Sequence, residues 1–156
     1  MSSDPPGYEL PLLLLFGFRS LIDDLHAELA RQGHPDARPM HGFVFQAIGH
    51  EGTTAVELGR ALGISKQAAG KTIDTLERLG YVYRERDPQD GRRMTVRLTD
   101  RGVDSLVKSV RIFDQLRARW AKTLGAERLR ALEDDLRKVT PPDAARLDMP
   151  GWITTS

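Results

Sequence analysis

The segment from Asp87 to Gly102, DPQDGRRMTVRLTDRG, constrains the fold most, because its pattern changes twice within a short distance. It begins as a polar turn that carries the adjacent arginines Arg92 and Arg93. It continues as an alternating run, and a period of two is typical of a β-strand. The apolar side of this alternation consists of Met94, Val96 and Leu98. With the run YVYRER on the other side of the turn, the sequence predicts a two-stranded ribbon with an arginine pair at its tip.

A short helix is predicted before the ribbon, and it ends near Leu62. Its first turn carries Thr54 and Glu57, which fit a capping box, because the hydroxyl and the carboxylate can each accept a hydrogen bond from a free backbone N–H group. Gly63 allows the chain to turn after the helix, and Ile64 can pack inward. The segment LGIS therefore predicts the turn of a helix-turn-helix. A plain corner between two helices of a bundle has the same pattern.

The second helix of this pair is predicted from Lys66 to about Leu79, with Ser65 as its N-cap and Gly80 as its C-cap. A period of 3.6 residues assigns its inward stripe to Ala69, Thr72, Ile73 and Leu76. The residues that then point outward are Lys66, Gln67, Ala68, Lys71 and Thr75. The N-terminal part of this outward face is basic and small, and no carboxylate precedes Asp74.

This outward face has the chemistry that the major groove of DNA requires. Gln67 can both donate and accept at an adenine edge, and Lys71 can reach guanine acceptors or a phosphate. Ala68 can touch a thymine methyl group, and Ser65 with the first free N–H groups of the helix can bind phosphate. Gly70 costs about 1 kcal/mol in a helix interior relative to alanine. Close approach of another backbone, or of DNA, is one explanation for this glycine.

A ribbon beside a helix-turn-helix makes a winged version of that motif, with the tip expected near the DNA backbone or minor groove. We expect Arg92 to enter a minor groove, where A·T-rich DNA has a strong negative potential, and Arg93 to contact a flanking phosphate. Asp90 is close enough along the turn to pair with the Arg92 guanidinium. Pro88 fixes part of the turn, and Gly91 permits a positive φ. A solvated hairpin with incidental charges is the alternative.

The charge of the chain is unevenly distributed. The net charge is only +1, but the segment from Arg60 to Arg101 holds ten basic and six acidic residues and is therefore +4. The remainder of the chain must then be −3. A basic middle is what local contact with a polyanion requires. On charge alone, ordinary solvated side chains explain the distribution equally well.

Helices are also predicted on both sides of this module. Two helices are predicted before the module, from Leu10 to about Gln32 and from about Met40 to His50. Two helices are predicted after it: the first is capped by Thr99 and reaches Leu124, and the second is formed by AERLRALEDDLRKV. The apolar run from Leu10 to Phe18 is too short to span a bilayer, which needs roughly 20 residues, and it lacks the flanks of a signal peptide. We expect it to be the buried face of the first helix. The predicted divisions are a flexible tail over 1–9, N-terminal helices over 10–50, a DNA-binding lobe over 51–100, C-terminal helices over 101–139 and a second tail over 140–156.

From Glu57 to Gly102, the sequence ELGRALGISKQAAGKTIDTLERLGYVYRERDPQDGRRMTVRLTDRG resembles the MarR family of bacterial transcriptional regulators. The match to the family pattern is continuous over these residues. This pattern consists of a helix, a turn and a recognition helix, followed by the motifs LERLGYV, RxxDPxDgR and VRLTxxG. The regions on either side match the family only in the layout of their helices. The resemblance implies a mainly α fold with a small β-ribbon, in which a winged helix-turn-helix lies between N- and C-terminal dimerisation helices. It assigns the family's wing arginine to Arg92 and its acidic partner to Asp90. The family's recognition-helix positions correspond to Ser65, Lys66, Gln67, Ala68 and Lys71.

The resemblance further implies a homodimer that binds a palindromic operator on double-stranded DNA, most simply as a repressor that a small molecule releases. Dimerisation has a separate argument, because the terminal helices carry more apolar residues than one small lobe can cover. A small aromatic or carboxylated ligand is expected between the dimer helices and the lobe. The candidate ligand-binding residues are Phe16, Arg19, His26, His41 and Phe45. A cytoplasmic location is expected.

Several functional classes are disfavoured by what the sequence lacks. It has no cysteine, which excludes a disulfide scaffold, a thiolate metal site and a thiol redox switch. It has no HExxH, GxSxG or P-loop motif, so we expect no catalysis, no cofactor and no metal. The rival hypothesis is a winged-helix module that binds another protein without sequence-specific DNA binding. That module should present an apolar recognition face, and Lys66, Gln67 and Lys71 argue against one.

Overall fold

The structure is a computed structural model that describes residues 3–38 and 41–141. The elements in chain order are α1 (Glu9–Arg31), α2 (His41–Ile48), α3 (Ala55–Leu62), α4 (Lys66–Arg78), β1 (Val82–Arg86), β2 (Met94–Leu98), α5 (Asp100–Leu124) and α6 (Ala126–Val139). The fold is therefore mainly α with one small antiparallel sheet, as the sequence predicts. The predicted bounds differ from these by one or two residues. The predicted start of the second helix at Met40, and residues 142–156 of the predicted C-terminal tail, lie outside the described residues.

The described residues form two hydrophobic cores. The larger one joins α2, α3, α4 and the ribbon into a lobe, and consists of Val44, Phe45, Ile48, Leu58, Leu62, Ala69, Ile73, Leu76, Tyr81, Val82 and Val96. The smaller one lies between α1 and α5 and consists of Leu25, Leu29, Ile112 and Leu116. Near the start of α1, Gly17 allows the Trp120 ring to approach, because a Cβ atom at Gly17 would lie 3.2 Å from that ring. The lobe thus packs beside a pair of long helices.

The ribbon pairs Val82 with Leu98 at one end and Arg86 with Met94 at the other. The sequence does not predict a third partner, yet Thr53 forms a β-bridge with Val96, with backbone hydrogen bonds of 3.0 and 2.7 Å. Gly52 makes this approach possible, because its φ is +78° and a Cβ atom there would lie 2.8 Å from the Val96 carbonyl oxygen. The turn between α2 and α3 is therefore fixed to the ribbon.

The run from Leu10 to Phe18 is the clearest departure from the sequence-based expectation. It is helical as predicted, but it is not a buried face within one chain: Leu13 is 60% exposed and Phe16 is 59% exposed. The buried residues of α1 begin only at Ile22. Within the described residues, no helix is both long and apolar enough to cross a bilayer.

Candidate nucleic-acid interface

Helix α4 has the two faces that its sequence predicts. Ser65 caps its N-terminus, since the hydroxyl accepts a hydrogen bond of 3.0 Å from the Ala68 N–H group. The inward stripe of Ala69, Thr72, Ile73 and Leu76 is buried in the lobe. On the opposite face Lys66, Gln67 and Lys71 are exposed, and Ala68 and Thr75 are partly exposed. The Thr75 hydroxyl donates to the Lys71 carbonyl at 3.1 Å, so part of its hydrogen-bonding capacity is already used within the helix.

The turn between α3 and α4 depends on two glycines. Gly63 adopts a left-handed conformation with φ +71°, which ends α3 where the sequence predicts. Gly59 lies inside α3, and a Cβ atom there would lie 2.8 Å from the Ile64 carbonyl oxygen. The Ile64 N–H group also donates to the Gly59 carbonyl at 2.8 Å. The two helices can therefore cross closely only because position 59 has no side chain.

The tip of the ribbon differs in detail from the prediction. Asp90 does not hold the Arg92 guanidinium; its carboxylate accepts a hydrogen bond of 3.1 Å from the backbone N–H group of Arg92. In the same way Asp87 accepts from the Gln89 N–H group at 2.8 Å. Gly91 is not among the residues with positive φ, so that prediction is wrong. The carboxylates of Asp87 and Asp90 therefore shape this turn through hydrogen bonds with nearby backbone N–H groups, and Gly91 does not adopt a left-handed conformation.

Three arginines of the ribbon are engaged within the lobe. Arg93 contacts Glu57 at 2.9 Å, Arg97 contacts Glu85 at 2.9 Å, and Arg84 contacts both Asp74 at 2.7 Å and Glu77 at 3.1 Å. Arg97 also donates to the Glu51 carbonyl at 3.0 Å. Arg93 would therefore have to leave Glu57 before it could contact a flanking phosphate, as the sequence-based expectation requires.

The remaining cations of the lobe are exposed and form no ion pair within the described part of the chain. They include the predicted contacts Lys66 and Lys71 on α4 and Arg92 at the ribbon tip. Sequence reasoning did not single out Arg60 on α3 or Arg86 at the outer end of β1, which have the same properties. The strand register supplies a signal for Arg86, since it stands opposite Met94 and not opposite a carboxylate.

Among the described residues, Gly70 has no neighbour that explains it. A Cβ atom at this position would meet no described atom within 4 Å. No part of the backbone in residues 3–38 and 41–141 therefore approaches Gly70 closely enough to explain it. The open space lies on the α4 surface, among the residues that the sequence predicts to face DNA.

The five residues proposed for a ligand site do not come together. His26, His41 and Phe45 line one cavity of about 220 Å³ between α1, α2 and α5. Phe16 and Arg19 lie in a separate, open depression on α1. The cavity walls are mostly apolar, and Arg38 and Gln46, which the sequence did not indicate, add polar groups.

The two cavity histidines are held in the neutral form. Burial, with smaller contributions from the neighbouring His26 and Arg38, lowers the pKa of His41 to about 4. Burial also lowers the pKa of His26, against the opposing effects of the Ala37 backbone and Asp23. The Nδ1 atom of His26 is buried and has no hydrogen-bond partner within the described residues. A polar group of a molecule bound in the cavity could therefore form a hydrogen bond with the Nδ1 atom of His26.

Comparisons with known proteins agree with this geometry. A family model described as "MarR family" matches residues 38–93. An uncharacterised HTH-type transcriptional regulator of Bacillus subtilis, YcgE, is 46% identical over 43 residues, which is 28% of this chain and 28% of that protein. The chain thus aligns with well under two thirds of the length of this curated relative.

Solved structures match over a much larger part of the chain. The reduced form of MarR from Escherichia coli is 26% identical with a TM-score of 0.70, over 90% of this chain and 100% of that one. A MepR mutant from Staphylococcus aureus, solved bound to an oligodeoxyribonucleotide, is 21% identical with a TM-score of 0.59, over 83% of this chain and 94% of that one. The match extends beyond the lobe to the helices on either side, so the chain is similar to the MarR family both in residues 38–93 and in the layout of its winged helix-turn-helix between flanking helices.

Proposed function

We propose that this protein is a dimeric, sequence-specific DNA-binding transcriptional regulator that inserts α4 into the major groove and the ribbon tip into the adjacent minor groove. Members of the MarR family are transcriptional regulators and not enzymes. The observation that carries the proposal is the division of the lobe cations into two groups. Arg84, Arg93 and Arg97 are paired with carboxylates, whereas Lys66, Lys71 and Arg92 are exposed without an ion pair among the described residues.

The unpaired cations lie on the elements that a double helix would contact. A cation already paired with a carboxylate must give up that partner before it can bind a phosphate, so the unpaired group can bind at lower cost. Gln67 is the base-reading candidate, because its amide can both donate and accept. The proposed DNA-binding residues are Ser65, Lys66, Gln67, Ala68, Lys71, Thr75 and Arg92, with Asp90 acting through the backbone of Arg92 and Arg93 acting through Glu57 by fixing the wing.

The exposed apolar half of α1 supports a homodimer. Leu10, Leu13 and Phe16 are each about 60% exposed on one chain, and monomeric proteins rarely leave such a contiguous patch in water. A two-fold partner is the commonest way to cover it. A symmetric pair of lobes would then contact two half-sites about 34 Å apart, which corresponds to a palindromic operator.

A ligand-released repressor is the regulatory mode that we propose. The cavity lined by His26, His41 and Phe45 lies where α1 and α5 meet α2, which belongs to the lobe core. A small aromatic or carboxylated molecule bound there would alter DNA affinity only by preferring one arrangement of lobe and helices over another. We also expect a cytoplasmic location.

The test is selection of bound fragments from the genome of the source organism, followed by salt titration on the selected site. About eight phosphate contacts per dimer predict a loss of affinity on the order of 10³ to 10⁵ between roughly 50 and 200 mM salt. Lys71→Ala and Arg92→Ala should each lower the salt slope, whereas Arg111→Ala, which removes an exposed cation of α5, should not. Salt-independent binding, or selection of no common sequence, would favour a protein-binding module instead.

A further inference from the structure

A buried histidine lies at the junction of the lobe with the long helices. His34 follows α1 and is only 3% exposed. Its Nδ1 atom lies 3.0 Å from the hydroxyl oxygen of Tyr81, which precedes β1 in the lobe. Its Nε2 atom lies 2.8 Å from the Asp104 carboxylate on α5. One ring thus touches both parts of the fold, and its protonation can be deduced from what its two partners are able to accept.

Tyr81 can only accept a hydrogen bond from His34. The Tyr81 hydroxyl lies 2.7 Å from Asp36 Oδ1 and donates its single proton there. Burial would raise the pKa of Asp36, but the hydrogen bond from Tyr81, the Asp36 backbone and Arg101 together lower it, so Asp36 is an ionised acceptor. Burial and the Asp36 carboxylate raise the pKa of Tyr81, which therefore keeps its proton. The Nδ1 atom of His34 must then carry a proton.

Asp104 imposes the same condition on the other ring nitrogen. Its carboxylate is hydrogen-bonded by Lys108 at 2.8 Å, and Lys108 followed by His34 lowers the pKa of Asp104. An ionised carboxylate can only accept, so Nε2 must also donate. A histidine with two donating nitrogens is an imidazolium cation. The contacts of His34, which is almost completely buried, therefore match those of an imidazolium.

The surrounding charges fit this conclusion. The groups that face His34 from the loop after α1, from the lobe and from α5 are Asp36, Tyr81, Arg101, Asp104 and Lys108. Arg101 donates to Asp36 at 2.9 Å and to the Tyr81 oxygen at 3.2 Å, and its guanidinium lies 4.7 Å from the centre of the Tyr81 ring. The two carboxylates are thus shared among three cations.

Removal of one proton would break this pattern. A neutral His34 that still donates to Asp104 would turn a bare Nδ1 lone pair toward the Tyr81 oxygen. Tyr81 could restore a hydrogen bond only by redirecting its O–H group from Asp36 to His34, and Asp36 would lose its closest donor, at 2.7 Å. Because Tyr81 belongs to the lobe and Asp36 to the loop after α1, the change loosens the contact between them.

We infer that His34 is a buried imidazolium that positions the DNA-binding lobe against α1 and α5, and that loss of its proton frees the lobe to move. The effect on DNA rests on the proposed function, whereas the charge of His34 does not. A lobe held in one arrangement binds its target more tightly than a mobile one, because less ordering is needed on binding. We therefore expect DNA affinity to fall when His34 becomes neutral.

The charge of His34 is measured without DNA, by nitrogen NMR of the histidine side chains over about pH 5.5 to 8.5. His34→Gln assigns the His34 signals. We expect both His34 nitrogens to carry protons in the folded protein, and the backbone signals of Tyr81 and Gly102 to change together with those of the ring. Asp104→Asn, which removes the facing charge, should move the midpoint of this change to lower pH. A ring with one bare nitrogen throughout this pH range would overturn the inference.

The positioning role is measured as the pH profile of operator affinity. We expect the affinity of the natural protein to fall about tenfold as pH rises through the His34 midpoint, a coupling of ordinary size. His34→Gln should remove this step and Asp104→Asn should shift it, whereas His50→Gln, at an exposed position, should leave it in place. One common profile for all four proteins would refute the positioning role. If the natural protein binds no DNA at any pH, the proposed function fails, and the NMR result alone decides the charge of His34.

Discussion

The guanidinium of Arg93 lies 2.9 Å from the carboxylate of Glu57 and joins the base of the ribbon turn to the first turn of α3. Glu57 also accepts from the Thr54 backbone N–H group at 3.2 Å, as its part of the predicted capping box. The Thr54 hydrogen bond is the main reason why the pKa of Glu57 lies below its usual range, with Arg93 contributing to the same effect. One carboxylate therefore both caps a helix and fixes the wing.

The two neighbouring arginines should differ in their effect on DNA binding. Arg92→Ala is expected to lower operator affinity and to reduce the salt slope by about 1 per protomer, because it removes an unpaired cation. Arg93→Ala should leave the salt slope almost unchanged, because Arg93 already has Glu57 as its partner. Fluorescence anisotropy on labelled operator DNA over a salt series separates the two. Equal changes in slope would mean that Arg93 leaves Glu57 and binds phosphate in the complex.

Gly59→Ala is expected to destabilise the lobe. The new methyl group would lie 2.8 Å from the Ile64 carbonyl oxygen, so the turn between α3 and α4 would have to move. Overpacking of this kind costs roughly 1–3 kcal/mol. Chemical denaturation monitored by circular dichroism measures the loss. An unchanged free energy of unfolding would show that the turn can shift without cost.

Gly70→Ala is the matched control for Gly59→Ala, because a Cβ atom at position 70 would point into open space among the described residues. It should raise the free energy of unfolding by about 0.5–1 kcal/mol, because alanine is the better helix former and no described atom lies within 4 Å of the new Cβ atom. If DNA approaches the α4 backbone at this position, the same variant should bind the operator more weakly although it is more stable. Chemical denaturation measures the change in stability of the variant, and fluorescence anisotropy on labelled operator DNA measures the change in its binding. Greater stability with undiminished binding would mean that DNA does not approach Gly70.

Local signals explain why much of the lobe could be predicted from the sequence. Thr54, Ser65 and Thr99 cap their helices as expected, since each cap needs only a hydroxyl three residues before a free N–H group. The buried stripe of α4 and the alternation of β2 depend likewise on spacing within one element. Gly63 reaches the left-handed region because a turn of this kind requires it.

Contacts between distant parts of the chain could not be predicted in this way. The pairs Arg93–Glu57 and His34–Asp104 are separated by 36 and 70 residues, and no periodic pattern connects them. The same limitation made Arg93 look like a free cation and left His34 out of the candidate site. Spacing along the sequence does not show whether Phe16 and Arg19 share a site with the cavity histidines, and in the structure they lie in another depression on α1.

The exposed half of α1 predicts a defined effect on assembly. Leu13→Glu combined with Phe16→Glu puts two charges into the apolar patch and should weaken a homodimer at least about tenfold, because charge is costly to bury without a partner. Analytical ultracentrifugation over a concentration series measures the dissociation constant. Val56→Glu, which adds a charge at an exposed apolar residue of α3, is the control and should leave it unchanged. A protein that is monomeric before any substitution would contradict the dimer.

The depressed pKa of His41 predicts how stability depends on pH. In the folded protein His41 takes up a proton only near pH 4, whereas in the unfolded chain it does so near its ordinary value of 6.5. Between these two values the unfolded state binds more protons, so the free energy of unfolding should fall as pH is lowered through this window, by up to about 3 kcal/mol.

Denaturation at a series of pH values measures this loss, and His41→Gln supplies the comparison. The variant cannot take up the proton and should lose less stability between about pH 6.5 and pH 4. Carboxylates with low pKa values, such as Asp36 and Asp104, contribute stability that is lost mainly below this window, and this loss is common to both proteins. The difference between the two curves therefore isolates His41. Parallel curves would mean that His41 is accessible to protons in the folded state.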